Sequence, residues 1–273
     1  MGNTSKGIFA ITEAKEVCFI SYDRYKSPIT ISLGKAAKDL QGVDLGEEIE
    51  LSSSGLTFVK RKVMVSCASL LPWISATSNR KISSSTVRQK RIRRITERVT
   101  SEKSDSGFSP FLSKFFLMDR TVNISNEDQS VFHHIERIIH FASARDLIEI
   151  QQEMAKILGY GRGLTPSGDD FAVGFLLGIN RWGLQLDYDP YSLKQFNQFI
   201  VKMAEEKTTS LSQSLIRLAT KGQADERQLA VIDGIMTGKP SVDICAKNVL
   251  AMGNSSGIDG FLGMAAAVVT SDL

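Results

Sequence analysis

Cysteine is scarce in this chain. Cys18, Cys67 and Cys245 are its only three, they stand far apart, and no C-x-x-C spacing joins them. That excludes a disulfide framework and a cysteine zinc site, and it suits a reducing compartment. Histidine is as rare: His133, His134 and His140 share one predicted helix but lack the i, i+4 pair of a helical zinc motif. They read as solvated or core-edge side chains. No long hydrophobic run is present. Phe171 to Ile179 and Phe261 to Val269 are far short of the roughly 20 residues that span a bilayer, so both are expected to be buried helices. The start Met-Gly-Asn-Thr-Ser-Lys has no apolar signal core, and Lys6 breaks the myristoylation pattern. A cytoplasmic protein without membrane contact is expected. Charge of one sign is also lacking, since the formal net charge is only +3, too small to imply nucleic-acid binding by itself.

What the chain does have is glycine in one place. Residues 159–170 read Gly-Tyr-Gly-Arg-Gly-Leu-Thr-Pro-Ser-Gly-Asp-Asp and run straight into an apolar helical stretch. Gly159, Gly161, Gly163 and Gly168 allow φ > 0 and bare backbone N–H groups, and Thr165, Ser167, Asp169 and Asp170 place oxygens where a helix begins. A helix start needs one capping oxygen, so this loop far exceeds capping needs.

The pattern Ser-Gly-x-Asp-x-x-x-Gly occurs twice, as Ser167, Gly168, Asp170, Gly174 and as Ser256, Gly257, Asp259, Gly263. Taken alone, Ser256 and Asp259 would be ordinary N-caps. Each copy is followed by small residues at i, i+4, Gly174 with Gly178 and Gly263 with Ala267, so two helices are expected to pack closely and to turn both N-termini toward one cavity. Asp169 and Asp170 are neighbours at a helix start and point in different directions. Asp170, matched by Asp259, is expected to be structural, and Asp169, matched by Ile258, to be the functional carboxylate.

The expected fold class is α+β, with a small β-rich N-terminal part (residues 1–78), a basic helix or connection (79–126) and a mainly helical domain (127–273) carrying the glycine loop at a helix N-terminus. Val17 to Ile20, Ile29 to Leu33, Ile49 to Leu51, Leu56 to Val59 and Val63 to Val65 read as short strands, with a turn at Ser52 to Gly55. Ile92, Ile95 and Val99 punctuate a run containing Arg88, Lys90, Arg91, Arg93, Arg94 and Arg98, which predicts an amphipathic helix with a basic face. Without a recognition motif or aromatic platform, it is expected to be a solvated face rather than a nucleic-acid site. From Glu127 onward six to eight helices are predicted, with starts at Asp189-Pro190 and Lys239-Pro240 and a Ser143/Asp146 capping box.

The loop at 159–170, followed by Thr208-Thr209-Ser210 and Gly253-Asn254-Ser255-Ser256-Gly257-Ile258-Asp259, resembles the AllH-like family of bacterial proteins, most strongly over residues 155–270. Arg162 departs from the family's usual apolar residue or proline, and Ser255 from its usual Thr. The resemblance implies a subunit of oxamate carbamoyltransferase, which converts oxalurate and phosphate to oxamate and carbamoyl phosphate, working with an FdrA-like subunit and a further partner. On that reading Asp169, Asp170, Thr165 and Ser167 carry catalysis. Gly161, Arg162, Gly163, Gly168, Thr208, Thr209, Ser210, Ser256 and Asp259 bind the small anionic substrate or phosphate. Bare carboxylates repel phosphate, so the Asp pair needs a cation such as Mg²⁺ on Asp169, a protonated member, or a role in orienting an arginine or a substrate N–H. The competing expectation is a non-catalytic subunit that binds a small anion or nucleotide while a partner carries the chemistry, since no Cys-His or Ser-His pair is evident.

Overall fold

The computed structural model describes residues 3–4, 6–33, 43–66, 71–75 and 81–269. Cys67 and the boundary expected after residue 78 lie outside them. The chain divides into two compact units, residues 1–75 and 76–273.

The first unit is built from two small sheets. Strands β1 (Asn3–Thr4), β2 (Gly7–Ile11), β3 (Val17–Ser21) and β4 (Thr30–Ser32) pair in that order, antiparallel except for the parallel β3/β4 pair. Strands β5 (Ile49–Leu51), β6 (Gly55–Phe58) and β7 (Val63–Ser66) form an antiparallel meander. The Ser52–Gly55 turn closes as expected, with the Ser52 N–H donating to the Gly55 carbonyl at 2.9 Å. Alternation along each strand sends Ile8, Ile20, Leu56 and Phe58 into one apolar cluster with Val43. Strand β2 was not foreseen.

The second unit is helical: α1 (Ser85–Glu102), α2 (Ser109–Phe116), α3 (Gln129–Ala144), α4 (Leu147–Ile157), α5 (Ser167–Trp182), a 3-10 turn at Gly183–Leu186, α6 (Pro190–Lys207), α7 (Ser210–Ala219), α8 (Glu226–Thr237), α9 (Val242–Leu250) and α10 (Ser256–Val268). After Glu127 this makes eight α-helices among the described residues, the upper end of the expected range. Asp146 caps α4 by accepting from the Ile148 and Glu149 N–H groups, and Asp189 caps α6 ahead of Pro190. Two expected starts differ in detail. Ser143 is still inside α3 and plays no part in the α4 cap, and Pro240 lies outside α9, which begins at Val242.

Helices α5 and α10 pack against each other at the centre, where every residue from Gly168 to Ile179 and from Gly257 to Val268 is buried. A helix apolar on all sides must be enclosed, and here the small residues set how tightly. A Cβ on Gly174 would stand 1.9 Å from the Gly260 carbonyl oxygen, one on Gly263 2.0 Å from the Phe171 carbonyl oxygen, and one on Gly178 2.6 Å from the Ala267 Cβ. Backbone therefore meets backbone across this pair. The basic helix α1 packs on α2, α8 and α9 through Ile92, Ile95 and Val99. Two of its arginines are structural: Arg88 donates to the Ser83 carbonyl at 2.8 Å and Arg91 to the Ile235 carbonyl at 2.9 Å. Lys90, Arg93, Arg94 and Arg98 form the exposed face.

Candidate functional site at two facing helix starts

The two sequence motifs fold alike. In the first, Gly168 sits in the opening turn of α5 where a Cβ would be 1.9 Å from the Ile157 carbonyl oxygen at the end of α4, and its N–H donates to the Tyr160 carbonyl at 2.9 Å. In the second, a Cβ on Gly257 would be 2.0 Å from the Val249 carbonyl oxygen in α9, and its N–H donates to the Met252 carbonyl at 3.0 Å. Each helix start is thus laid across the end of the helix before it, and only glycine permits that approach. Left-handed backbone at Gly159, Gly161 and Gly163 (φ +80°, +111° and +96°) carries the longer first connection around. Gly168 does not share it: close approach, not φ > 0, is why this residue is glycine.

The facing starts exchange partners. Ser256, from the second motif, acts on the Asp170 carboxyl of the first, while Ser167 of the first acts on Asp259 of the second. The Thr165 and Ser256 hydroxyls are 3.1 Å apart. Asp259 also accepts the Phe108 N–H at 2.7 Å. The segment that supplies that N–H is held down by Lys103, whose ammonium reaches the Asn254 carbonyl at 2.9 Å, and by Ser106, whose hydroxyl donates to the same carbonyl at 2.9 Å. Gly107 (φ +51°) lies so close over Asp259 that a Cβ there would be 2.3 Å from its Oδ1. Sequence reading missed Gly107 and Phe108. Their only signal was a glycine two residues ahead of a Ser-Pro helix start, which says nothing of what lies beneath.

Asp169 faces away from this junction. Its Oδ1 accepts the Gly159 N–H at 2.7 Å and its Oδ2 accepts the Thr208 hydroxyl, so both oxygens clasp the glycine loop to the end of α6. The Thr209 hydroxyl donates to the Leu164 carbonyl at 2.6 Å and accepts from the Ser212 N–H at the start of α7, which Ser210 opens. Thr208 and Thr209 thus brace the loop from behind. All three carboxyls are buried, but Asp170 and Asp259 differ from Asp169 in one respect that matters: among the described residues, each keeps an Oδ2 without a hydrogen-bond partner. An acceptor left unpaired in the interior is costly, so this junction stores a demand for a donor.

Burial pushes all three carboxyls upward. Asp169 is raised by desolvation and drawn back by the Thr208 hydroxyl and Gly159 N–H. Asp259 rises to about 6 through burial, against the Phe108 N–H and the Ser167 and Ser255 hydroxyls. Asp170 is held well above the usual carboxylate range, first by burial and then by the negative charges of Asp259 and Asp169, with Ser256 and Thr165 opposing.

Residues 157–268 match the family model of oxamate carbamoyltransferase subunit AllH. The matched span begins at the residue whose carbonyl receives Gly168 and ends with α10, so it takes in both motifs and the clasp between them. No curated protein and no solved structure matches the chain.

A pocket of about 350 Å³ opens on the AllH-matched loop, lined by Gly107, Phe108, Glu127, Asp128, Tyr160, Gly161, Arg162 and Ser167. Gly161, Arg162 and Ser167 of the expected site face it. Thr165, Asp170, Ser256 and Asp259 lie in the junction behind Ser167 and Phe108, and Asp169, Thr208 and Thr209 on the far side of the loop. Asp128 is already engaged by the Tyr160 hydroxyl and by Ser125. Burial and the neighbouring Asp128 hold the Tyr160 phenol far above its usual value. A larger groove, about 870 Å³, runs beside α6, but it lies at the other end of α5 and its Asn180 and Asn197 amides satisfy each other at 2.6 and 3.1 Å. The smaller pocket is therefore the candidate site. Among the described residues no group of three or more His, Cys, Asp or Glu is arranged to hold a metal ion. Asp169, the expected Mg²⁺ ligand, has both oxygens engaged.

Proposed function

We propose that this chain is a subunit of a carbamoyl-transferring complex of the oxamate carbamoyltransferase kind, and that the pocket at the start of α5 takes its small anionic substrate or phosphate. One observation carries the reading: the AllH match covers the two motifs that build the junction and the loop that opens onto the pocket. The reaction would be phosphorolysis of oxalurate to oxamate and carbamoyl phosphate. It needs phosphate held in line with the ureido carbon, cationic or N–H-rich surroundings, and donors for the developing oxyanion. Arg162 supplies the charge, and Ser167 and the loop backbone supply donors. A protonated carboxyl behind Ser167 removes the repulsion that two bare carboxylates would exert. The division of labour we propose is the reverse of the sequence expectation: Asp169 braces the loop, and Asp170 with Asp259 serves the pocket.

An FdrA-like subunit and a further protein are the partners in this reading, and the cytoplasm is its setting. A second reading rests on the complete burial of Asp259, 0% exposed. It makes this chain the binding subunit and places bond-breaking on a partner. Co-expression with the FdrA-like partner and an assay for carbamoyl phosphate from oxalurate and phosphate test the proposal. We expect product only when this chain is present, and at least a tenfold rise in KM for phosphate in Arg162→Ala. Full activity of the partners without this chain would overturn it. Loss of phosphate affinity in Arg162→Ala together with an unchanged rate in Asp170→Asn would favour the binding-subunit reading.

A further inference from the structure

The two buried carboxyls of the junction require a partner that the described residues do not supply. Asp170 and Asp259 occupy equivalent positions on α5 and α10, each interacts with the serine of the other motif, and each leaves one oxygen unpaired. The donors nearest the pair leave both Oδ2 atoms unserved: the Phe108 N–H goes to Asp259 Oδ1, Thr165 pairs with Ser256, and the Ser167, Ser255 and Ser256 hydroxyls act on the carboxyls without reaching either Oδ2. Among the described residues no cation acts on the pair: Lys103 is bound to carbonyls of residues 250–254 and Arg162 lies on the pocket side. Two like charges in one desolvated space repel, and the donor that relieves both orphan oxygens at once is a proton.

We propose that Asp170 and Asp259 form one dyad sharing a single proton, connected to the pocket through the Ser167 hydroxyl, and that it moves the proton of the carbamoyl-transfer step. The reaction assignment rests on the proposed function above, whereas the sharing of the proton does not. In that step a phosphate oxygen of HPO₄²⁻ bonds to the ureido carbon, and its proton passes by way of Ser167 to the charged dyad. The C–N bond then breaks with its electron pair going to the oxamate nitrogen, and the same relay returns one proton to that nitrogen. Oxalurate and HPO₄²⁻ thus give oxamate and the carbamoyl phosphate dianion with no net proton released. Ser256 makes the equivalent contact from the other side but does not line the pocket, so of the two motif serines Ser167 is the hydroxyl that joins the dyad to the pocket. Among the described residues the titratable groups around the dyad are few. Asp169 stands on α5, Tyr160, Glu127 and Asp128 at the pocket, Arg162 on the loop, and Lys103 at the end of α1.

Two measurements test this. In the intact chain with ¹³C-labelled aspartate carboxyls, the pair should take up one proton above pH 5, and Asp170→Asn should lower the titration of Asp259. Both carboxyls ionising below pH 5 would overturn the dyad. In the reconstituted complex, Asp170→Asn, Asp259→Asn and Ser167→Ala should each lower kcat about 100-fold or more with less than a threefold change in KM for phosphate. Ser167→Ala should do so while the pair still takes up its one proton above pH 5, with Asp259 shifted further upward by loss of the Ser167 hydroxyl, which a merely structural role would not produce. An unchanged kcat in folded Asp170→Asn would overturn the relay. A wild-type complex that makes no carbamoyl phosphate would instead defeat the functional reading, and the titration would still decide the dyad.

Discussion

The junction before α5 and the junction before α10 are two solutions to one packing problem. Both lay a glycine in the first helical turn across the carbonyl of a preceding helix, at Ile157 and at Val249, and both place an aspartate two residues later. They differ in what joins the helices. Residues 251–255 make a minimal turn, while residues 158–166 make a longer one with left-handed glycines, Arg162 and a clasp through Asp169. The shared part is architecture, and the added part is what opens a pocket. The duplication explains the backbone contact, and the difference explains why the first copy lines the pocket.

The contact between the copies is the place to break the comparison hardest. Gly174→Ala and Gly263→Ala each drive a methyl group into a backbone carbonyl, so each should lower stability by about 3 kcal/mol or more despite the better helix propensity of alanine. Gly260→Ala, on the same face of the same helix pair, has its nearest neighbours at 3.5 Å and should be neutral or gain up to about 1 kcal/mol. Denaturant melts of the three variants decide this. Equal effects at Gly260 and Gly263 would mean that the helices do not meet as described.

The next effect concerns charge. Asp259 titrates at about 6 in the folded chain and at about 4 when unfolded, so the folded form binds more protons between those values. Its contribution is most favourable below about pH 4 and weakens by about 3 kcal/mol as pH rises through 6. Asp259→Asn should therefore flatten the pH dependence of stability over pH 4–6, read from melts across that range. An unchanged slope would show that this carboxyl is not the desolvated one. Smaller again is the clasp of the first copy. Asp169→Asn replaces an acceptor for the Gly159 N–H and Thr208 hydroxyl and should cost about 1–2 kcal/mol with little change in ligand affinity. A large loss of affinity at constant stability would restore Asp169 as the functional carboxylate. Smallest is Gly163→Ala. Nothing lies within 4 Å of the added methyl group, so only the φ of +96° is penalised, by about 1 kcal/mol in Tm-derived stability.

Much of this architecture was written locally. The apolar runs of α5 and α10, their small residues at i, i+4, and the caps at Asp146 and Asp189 are short-range signals, and they gave the helices and their pairing. The strands β5, β6 and β7 announced themselves by β-branched runs around a serine-glycine turn. Four features were not legible for a common reason, that each depends on a residue outside its own local pattern. Strand β2 is Gly-Ile-Phe-Ala-Ile, whose identity comes from pairing with β3 rather than from its own alternation. Asp169 and Asp170 are indistinguishable as letters, and their roles separate only because Thr208 lies across from one and Ser256 from the other. Phe108 enters the site from an element some 150 residues away from Asp259. Arg91, read as part of a solvated face, bonds the Ile235 carbonyl because α1 lies against α8, which no helical period reveals, while Arg88 turns back to the Ser83 carbonyl just ahead of α1.

The exchange of serines between the motifs has a consequence for inheritance. Neither aspartate is served by the serine of its own motif, so neither motif is complete by itself. A chain with one copy could build the junction only by meeting another molecule of the same kind. In the present chain the two halves must therefore vary together: a change at Ser167 is felt by Asp259, a change at Ser256 by Asp170, and tolerated substitutions should arise in those crossed pairs rather than within either motif.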